Sequence, residues 1–215
     1  MEKNKFRQLV FERKKFPLGE ILLWILLIFL CYVVFVFYSF ADYFEAVNVD
    51  GDSMIPTYNK NGGNDIVYTH KSDYNYGDII TINVGTKTII KRVVGLEGDQ
   101  IAIKKVDGEY RVFRNGGILE ENYIKDISGN LSTYQNFHNI FKEDYPEKFD
   151  ENGVMTVGEN EIFVLGDNRG GSRDSSYYGN FDLSQVTGKV FYSVPADHNP
   201  TLSIFFQLFF PIFYI

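Results

Sequence analysis

The feature that most constrains this chain is a run of 20 residues without a charged side chain, at positions 21–40. A helix needs about 20 consecutive apolar residues to cross the hydrocarbon core of a bilayer. The alternative is a cleavable signal peptide, because Ser39-Phe40-Ala41 fits a small-x-small cleavage pattern. However, the run exceeds the roughly 7–15 apolar residues of such peptides, and Phe37 and Tyr38 crowd that site. The run therefore predicts an uncleaved transmembrane helix at 21–41.

The charges on the two sides of this run differ in sign. Residues 1–20 carry six basic and three acidic side chains, a net charge of +3, whereas the residues from Asp42 onward carry 15 basic and 25 acidic ones, a net charge of −10. The positive-inside rule then predicts a cytoplasmic N-terminal segment at 1–20 and an extracytoplasmic remainder. The overall charge of −7 argues against a nucleic-acid partner, which would require a basic face.

Few residues are available to bind a metal or to form disulfides. The only cysteine, Cys31, lies within the predicted membrane span, which excludes an internal disulfide and a cysteine-based zinc site. The three histidines, His70, His138 and His198, are scattered and are interpreted as surface residues. We therefore predict no metal and no cofactor.

The region at 42–200 is predicted to be a β-rich domain. Ile80, Ile82 and Val84 alternate with polar residues, as in a half-buried strand. The Asp107-Gly108 pair is typical of a tight hairpin turn. No helical apolar period of useful length follows the membrane span. Further short strand-like runs lie at 66–68, 89–94, 161–165 and 186–194.

Two segments do not fit this strand pattern. Residues 125–153 are polar with interspersed aromatic side chains, which favours either a surface loop or a small subdomain. Residues 201–215 are hydrophobic and aromatic but interrupted by Gln207 and Pro211, and the segment is short for a membrane span. It is either a last core strand or buried tail, or an aromatic segment at the membrane interface, which we favour.

Two side chains are candidates for nucleophilic chemistry. Ser53 follows Gly51-Asp52 in a turn, where a serine is either a nucleophile or an ordinary turn residue. Lys91 lies in an apolar strand-like run, on the same face as Ile89 and Val93. Burial there would favour its neutral form, as a general base requires. The alternative is an edge-strand lysine that reaches solvent.

A third polar segment follows the strand-like run at 161–165. Residues 166–179 contain four glycines together with several arginine, aspartate and serine side chains that can bond one another. The segment is either an ordered loop that supports a site or a solvated turn, and its density of hydrogen-bonding groups favours the ordered loop.

Together these segments resemble the bacterial type I signal peptidases, in the compact form typical of Gram-positive bacteria. The chain has an N-terminal anchor followed by four motifs of that family in the family's order. These are Ser-Met-x-Pro-Thr at 53–57, Gly-Asp at 77–78, a Lys-Arg-Val-x-Gly box at 91–99, and Gly-Asp-Asn-Arg-x-x-Ser-x-Asp-Ser at 166–175.

The resemblance implies a mainly β fold, a signal-peptidase-like β-sheet catalytic domain with one N-terminal transmembrane helix. It also implies a Ser/Lys dyad in which Ser53 is the nucleophile and Lys91 the general base, with the Ser53 backbone N–H in the oxyanion hole. The supporting residues that it implies are Ser172, which would orient Lys91, the carboxylates Asp167 and Asp174, and Arg92 as the ion-pair partner of Asp167.

Four positions depart from the family pattern. Gly51 replaces a serine that supplies an oxyanion donor in some members, Tyr58 replaces leucine, and Glu97 replaces proline. Ser176 stands where many members have arginine, which removes the expected partner of Asp174. None of these positions is Ser53 or Lys91.

The implied activity is endoproteolytic removal of N-terminal signal peptides from exported preproteins after small-x-small motifs, at the cell membrane. The implied partners are these signal peptides, membrane lipid and the secretion translocase. Two alternatives remain: a Ser/Lys peptidase dedicated to few substrates, and a catalytically inactive anchored β-domain that binds exported peptides.

Overall fold

The computed structural model of this protein describes residues 18–41, 44–60, 62–124, 150 and 153–196. The predicted hydrophobic tail at 201–215 lies outside these residues. The same holds for most of the polar segment at 125–153 and for His138 and His198.

The first element is helix α1, Leu18–Ala41, which begins three residues before the predicted span. Its window Leu18–Val36 has a mean hydropathy of 2.6, and none of it is buried in protein. Its one acidic residue, Glu20, lies in the first turn, where the helix dipole favours a negative charge. A helix with apolar side chains on every side has the length and composition of a membrane span.

Residues 44–215 form a compact unit separate from residues 1–43. Its described part contains two antiparallel sheets, with strand orders β1-β2-β11-β3-β4-β9-β10 and β7-β6-β5-β8. The strands are β1 Phe44–Asn48, β2 Ile66–His70, β3 Ile79–Val84, β4 Lys87–Gly95, β5 Gln100–Val106, β6 Glu109–Arg114, β7 Gly117–Ile118, β8 Val154–Thr156, β9 Glu161–Leu165, β10 Phe181–Asp182 and β11 Val186–Val194. The mainly β prediction is confirmed.

In the part of this unit that the structure describes, the non-strand elements are short. They are two 3-10 turns, Asn122–Ile124 and Leu183–Gln185, and the four-residue helix α2, Ser175–Tyr178. None of them was predicted from the sequence, because three or four residues are too few for a helical period to appear.

Strand β4 lies inside the larger sheet, between β3 and β9. Lys91 pairs with Ile80 of β3, and the next residue, Arg92, pairs with Leu165 of β9. The interpretation of Lys91 as an edge-strand residue is therefore wrong. Side chains on an internal strand can be covered by protein on both faces.

The core contains three apolar clusters, and strand β9 faces two of them. Ile162 and Val164 pack in one cluster with Ile80 and Val93, whereas Phe163 and Leu165 pack in another. Burial on both faces explains why β9 appears in the sequence as a continuous apolar run rather than an alternating one.

The predicted hairpin turn is confirmed between β5 and β6. Asp107 has a φ of 54° and Gly108 a φ of 89°, and the residues on either side, Val106 and Glu109, are paired across the two strands. Two consecutive positive φ angles define the type I′ turn, whose twist matches that of the strands that it joins.

Candidate active site

Ser53 lies in a tight turn that follows β1. Within this turn the Thr57 and Tyr58 N–H groups donate to the Met54 carbonyl, at 2.8 and 3.0 Å. The Met54 side chain is 1% exposed and packs in the third apolar cluster. Burial of Met54 fixes the backbone next to Ser53, so the serine is held at the edge of the core.

Gly51 accounts for the path of the chain into this turn. Its φ is +88°, in the region that favours glycine. A serine at this position would be strained. The glycine that departs from the family pattern therefore fits the backbone conformation at this position.

Lys91 is brought directly to Ser53. Its Nζ lies 2.7 Å from Ser53 Oγ and donates to the Ile90 carbonyl at 2.7 Å. The residue is 2% exposed, so its amine does not reach solvent. Burial lowers the pKa of Lys91 to about 8, although the carboxylates of Asp174 and Asp167 act in the opposite direction.

This pKa determines what the amine can do. At pH 7, an amine with a pKa near 8 is about one-tenth neutral, whereas an ordinary lysine is neutral at less than about 0.1%. A neutral amine has a lone pair that can accept the Ser53 hydroxyl proton over the observed distance. The pair has the geometry that a nucleophile and its base require, and about one-tenth of the amine is in the required neutral form at pH 7.

The predicted ion pair between Arg92 and Asp167 is present. Arg92 Nε and one terminal nitrogen contact the two oxygens of Asp167 at 2.8 and 2.6 Å. Asp167 is 0% exposed and also accepts a hydrogen bond from the Thr57 hydroxyl. Thr57 is the last residue of the Ser53 motif. The Asp167 carboxylate, in the loop after β9, therefore connects this loop both to the Ser53 turn and to β4.

The loop after β9 also contacts the backbone of the nucleophile. The Asn168 N–H donates to the Ser53 carbonyl at 3.0 Å, and Asn168 Nδ2 donates to the Asp52 carbonyl at 3.1 Å. A Cβ on Gly166 would lie 2.5 Å from the same Ser53 carbonyl oxygen. The absence of a side chain at Gly166 is therefore what allows the two segments to approach.

Asp174 has hydrogen-bond partners without an arginine. Its Oδ2 accepts from the Gly166 N–H at 2.8 Å, and its Oδ1 accepts from the Ser176 N–H and hydroxyl at 3.0 and 2.6 Å. The arginine expected after Ser175 is absent, and Ser176, which stands in its place, donates to Asp174 itself. Arg173 stacks over the Tyr177 ring instead, with its guanidinium carbon 5.4 Å from the ring centroid.

Ser172 is close to the site but does not bond to Lys91. Its Oγ is buried and has no hydrogen-bond partner among the residues that the structure describes. The two bonds of the Lys91 amine go to Ser53 Oγ and the Ile90 carbonyl. The orienting role implied for Ser172 stays a prediction.

Comparisons with known proteins identify the family of this chain. The family model for signal peptidases, peptidase S26, matches residues 21–194. The chain belongs to the S26 signal peptidase family. The resemblance found in the sequence is thereby confirmed, and the protein is a hydrolase of the serine peptidase class.

Individual members of the S26 family are similar over most of the chain. Signal peptidase I of Bacillus caldolyticus is 33% identical over 148 residues, which are 66% of this chain and 74% of that protein. Signal peptidase I P of Bacillus subtilis subsp. natto is 30% identical over 186 residues, 83% of this chain and 91% of that protein. A crystal structure of a signal peptidase I from Enterococcus faecalis V583 is 29% identical and covers 56% of this chain and 98% of its own, with a TM-score of 0.42.

Sequence reasoning missed a buried ion pair beside the candidate site. Arg169 and Glu121 are paired through both terminal guanidinium nitrogens, at 2.5 and 3.0 Å, with side chains 0% and 4% exposed. Glu121 is 48 positions from Arg169 and belongs to none of the four motifs. The position of Arg169 within the Gly-Asp-Asn-Arg motif was the one available signal, and the sequence contained no indication of its partner.

A metal centre is not formed by the residues that the structure describes. No group of three or more histidine, cysteine, aspartate or glutamate side chains within those ranges is placed to hold an ion. His70, interpreted as a surface residue, is the last residue of β2, and its ring packs against Phe44 and Phe191.

Proposed function

We propose that this chain removes N-terminal signal peptides from exported preproteins by acyl transfer, with Ser53 as the nucleophile and Lys91 as the general base. The observation that carries the proposal is the 2.7 Å distance between Lys91 Nζ and Ser53 Oγ at a lysine that is 2% exposed. Membership of the S26 family supplies the reaction class and the substrate class.

The first half of the reaction forms an acyl-enzyme. The neutral Lys91 amine takes the hydroxyl proton of Ser53 as Oγ attacks the carbonyl carbon at the cleavage site. The tetrahedral intermediate collapses when the C–N bond breaks, and the Lys91 ammonium gives its proton to the departing amine. The signal peptide is then esterified to Ser53, and the mature chain leaves with a free N-terminus.

The second half uses the same two residues. Lys91, neutral again, takes a proton from a water molecule that attacks the ester carbon. Collapse of this second intermediate breaks the bond to Oγ, which recovers its proton from Lys91. The signal peptide leaves as a carboxylic acid, which releases its proton to solvent, and the enzyme returns to its starting state.

The backbone N–H of Ser53 is suited to stabilise the oxyanion. Among the residues that the structure describes, this N–H has no hydrogen-bond acceptor, whereas the Ser53 carbonyl is bonded to Asn168. Gly51 contributes no hydroxyl, so the chain uses at least one fewer side-chain donor than members with serine there. Loss of one such donor costs about 3–4 kcal/mol in another hydrolase. Backbone donors or water must supply the difference.

The substrate is proposed to bind as an extended strand. In the described part of the larger sheet, β1 is an edge strand, and it leads directly into the Ser53 turn. A peptide paired along such an edge would present alternate side chains to the protein. Small side chains at the first and third positions before the cut would match the Ala-x-Ala pattern of signal peptides.

The membrane placement is proposed from charge and hydropathy. Helix α1 would be a single span, with the +3 segment at 1–20 in the cytoplasm and the −10 remainder outside. Membrane lipid is then a partner through α1, and the tail at 201–215 is proposed to lie at the interface. Contact with the secretion translocase stays a prediction.

The best support for the inactive alternative was the departure at Ser176, where many family members have arginine. Against it, Ser176 supplies two donors to the Asp174 carboxylate. A peptidase dedicated to few substrates uses the same Ser53 and Lys91 chemistry, so only the range of preproteins that it cleaves distinguishes it.

The test is cleavage of a labelled preprotein by the detergent-solubilised full chain. We expect Ser53→Ala and Lys91→Ala to abolish cleavage, and Lys91→Arg to fail equally because a guanidinium stays protonated. Lys87→Ala is the matched control, since Lys87 lies on the same strand but is exposed. Substantial cleavage by either Ser53→Ala or Lys91→Ala would overturn the dyad, provided that all variants insert into membranes equally.

A further inference from the structure

The segment between β7 and residue 125 contacts both arginines of the site. Glu121 is 8% exposed and Tyr123 is partly buried, although both follow β7 of the smaller sheet and lie outside the four family motifs. Glu121 contacts Arg169, and Tyr123 contacts Arg92. These are the two cations that hold the loop after β9.

Glu121 anchors Arg169 inside the protein. It pairs with two guanidinium nitrogens of Arg169, and the third, Nε, donates to the Gly166 carbonyl at 2.8 Å. All three guanidinium nitrogens therefore have acceptors. A buried guanidinium requires this compensation, because an unpaired charge in the interior is strongly unfavourable. Glu121 thereby holds the Arg169 side chain in contact with the backbone of the loop that begins at Gly166.

Tyr123 holds the second arginine in position. The guanidinium carbon of Arg92 lies 4.2 Å from the Tyr123 ring centroid, within the range of a cation–π interaction. The Tyr123 hydroxyl donates to Glu121 at 2.8 Å, so the ring is itself fixed. Burial and the nearby Glu121 carboxylate raise the pKa of Tyr123, so its hydroxyl remains a donor.

Each of the two arginines is connected to the Ser53 motif through hydrogen bonds and short stretches of backbone. Arg92 binds Asp167, which accepts from Thr57 at the end of the Ser53 motif. Arg169 binds the Gly166 carbonyl in the loop whose next residues include Asn168, the donor to the Ser53 carbonyl. Among the described residues, Glu121 and Tyr123 themselves bond to neither Ser53 nor Lys91.

We propose that Glu121 and Tyr123 are positioning residues for the peptidase reaction. They hold Arg169 and Arg92, and thereby keep the loop after β9 in its position relative to the Ser53 turn. The proposal rests on the proposed Ser53/Lys91 function. The pair acts on the enzyme's own geometry and not on substrate binding, so its loss should lower kcat and leave KM nearly unchanged.

The test compares four variants of the full chain in detergent, with a fluorogenic peptide that contains an Ala-x-Ala site. Tyr123→Phe keeps the ring over Arg92 and removes only the hydroxyl, whereas Tyr123→Leu removes the ring. Glu121→Gln keeps the shape and removes the charge. Tyr110→Leu is the matched control, because Tyr110 is a partly buried tyrosine on β6 whose ring lies near Lys105 rather than a site arginine.

We expect Tyr123→Leu and Glu121→Gln to lower kcat by about 10- to 100-fold, the size of effect that a misplacement near 1 Å produces. KM should change by less than about twofold. Tyr123→Phe should recover most of the activity lost in Tyr123→Leu. Tyr110→Leu should keep the wild-type kcat per folded enzyme even where it lowers the melting temperature.

Two results would overturn the proposal. One is a kcat for Tyr123→Leu that equals that of Tyr110→Leu once both are corrected for the folded fraction. The other is a Tyr123→Phe variant as impaired as Tyr123→Leu. If Glu121→Gln does not fold, the Tyr123 pair decides alone. Full activity of Ser53→Ala in the same assay would instead refute the dyad, so the two failures are distinguishable.

Discussion

Replacing Lys91 with methionine should abolish cleavage and stabilise the fold at neutral pH. Burial lowers the pKa of Lys91 from 10.5 to about 8. Since each pH unit corresponds to about 1.4 kcal/mol, keeping the charged amine buried at pH 7 costs the folded state about 3 kcal/mol. Methionine has a similar length and no charge, and it removes that cost.

The net gain is smaller because the amine also makes hydrogen bonds. Methionine leaves the Ile90 carbonyl without the 2.7 Å bond from Lys91, at a cost of about 1 kcal/mol. A net stabilisation of about 2 kcal/mol remains, which corresponds to a rise of about 4–8 °C in Tm for a domain of this size.

The gain should depend on pH with a definite sign. Below about pH 8 the lysine is protonated in both the folded and the unfolded chain, so the full cost is present. Between about 8 and 10.5 the unfolded chain binds more protons than the folded one, and the stability of the lysine form rises with pH. At pH 9.5 a cost of only about 1 kcal/mol remains, and the two proteins should unfold at nearly the same temperature.

The assay is thermal unfolding of the full chain in detergent at pH 7 and pH 9.5. Lys87→Met is the control, since Lys87 is exposed on the same strand and its replacement should show neither the gain nor the pH dependence. A Lys91→Met protein that melts below the wild type at pH 7 would refute the reasoning. An equal gain at both pH values would refute it too.

Two further predictions concern the same site. The kcat/KM for a signal-peptide substrate should rise about tenfold per pH unit up to about pH 8 and level off above it, because only neutral Lys91 is active. A kcat/KM that does not change from pH 6 to pH 8 would contradict this role of Lys91. Gly166→Ala should lower kcat by about 10- to 100-fold, because its Cβ would lie 2.5 Å from the Ser53 carbonyl oxygen. Gly117→Ala, whose Cβ would meet only Arg114 O at 3.6 Å, should leave the preprotein cleavage rate unchanged.

Local signals in the sequence predicted the local structure well. Strands β9 and β11 begin and end where their apolar runs do, at 161–165 and 186–194. The Asp107-Gly108 pair predicted the hairpin, because two positive φ angles are accessible to few residue types. The short strands β8 and β10 were missed, since two or three residues carry no period.

The candidate site was predicted through motifs rather than through geometry. Alternation placed Lys91 on an apolar face, but only the pairing of β4 with β3 and β9 decided that the strand is internal. Similarly, the sequence showed that the arginine expected near Asp174 is absent, but not which groups bond to this carboxylate in its place. In the structure, Ser176 brings a backbone N–H and a hydroxyl to Asp174.

The sequence by itself determined a helix with the composition of a membrane span, a β-rich remainder, and the residue types of a Ser/Lys peptidase. These depend on hydrophobicity, on period and on motifs, which are properties of neighbouring residues. Only the tertiary structure decided that Lys91 Nζ lies 2.7 Å from Ser53 Oγ, and that Glu121 binds Arg169 from 48 positions away. Such contacts result from the packing of strands that are distant in the chain, and the periodicity of one segment carries no information about its partner.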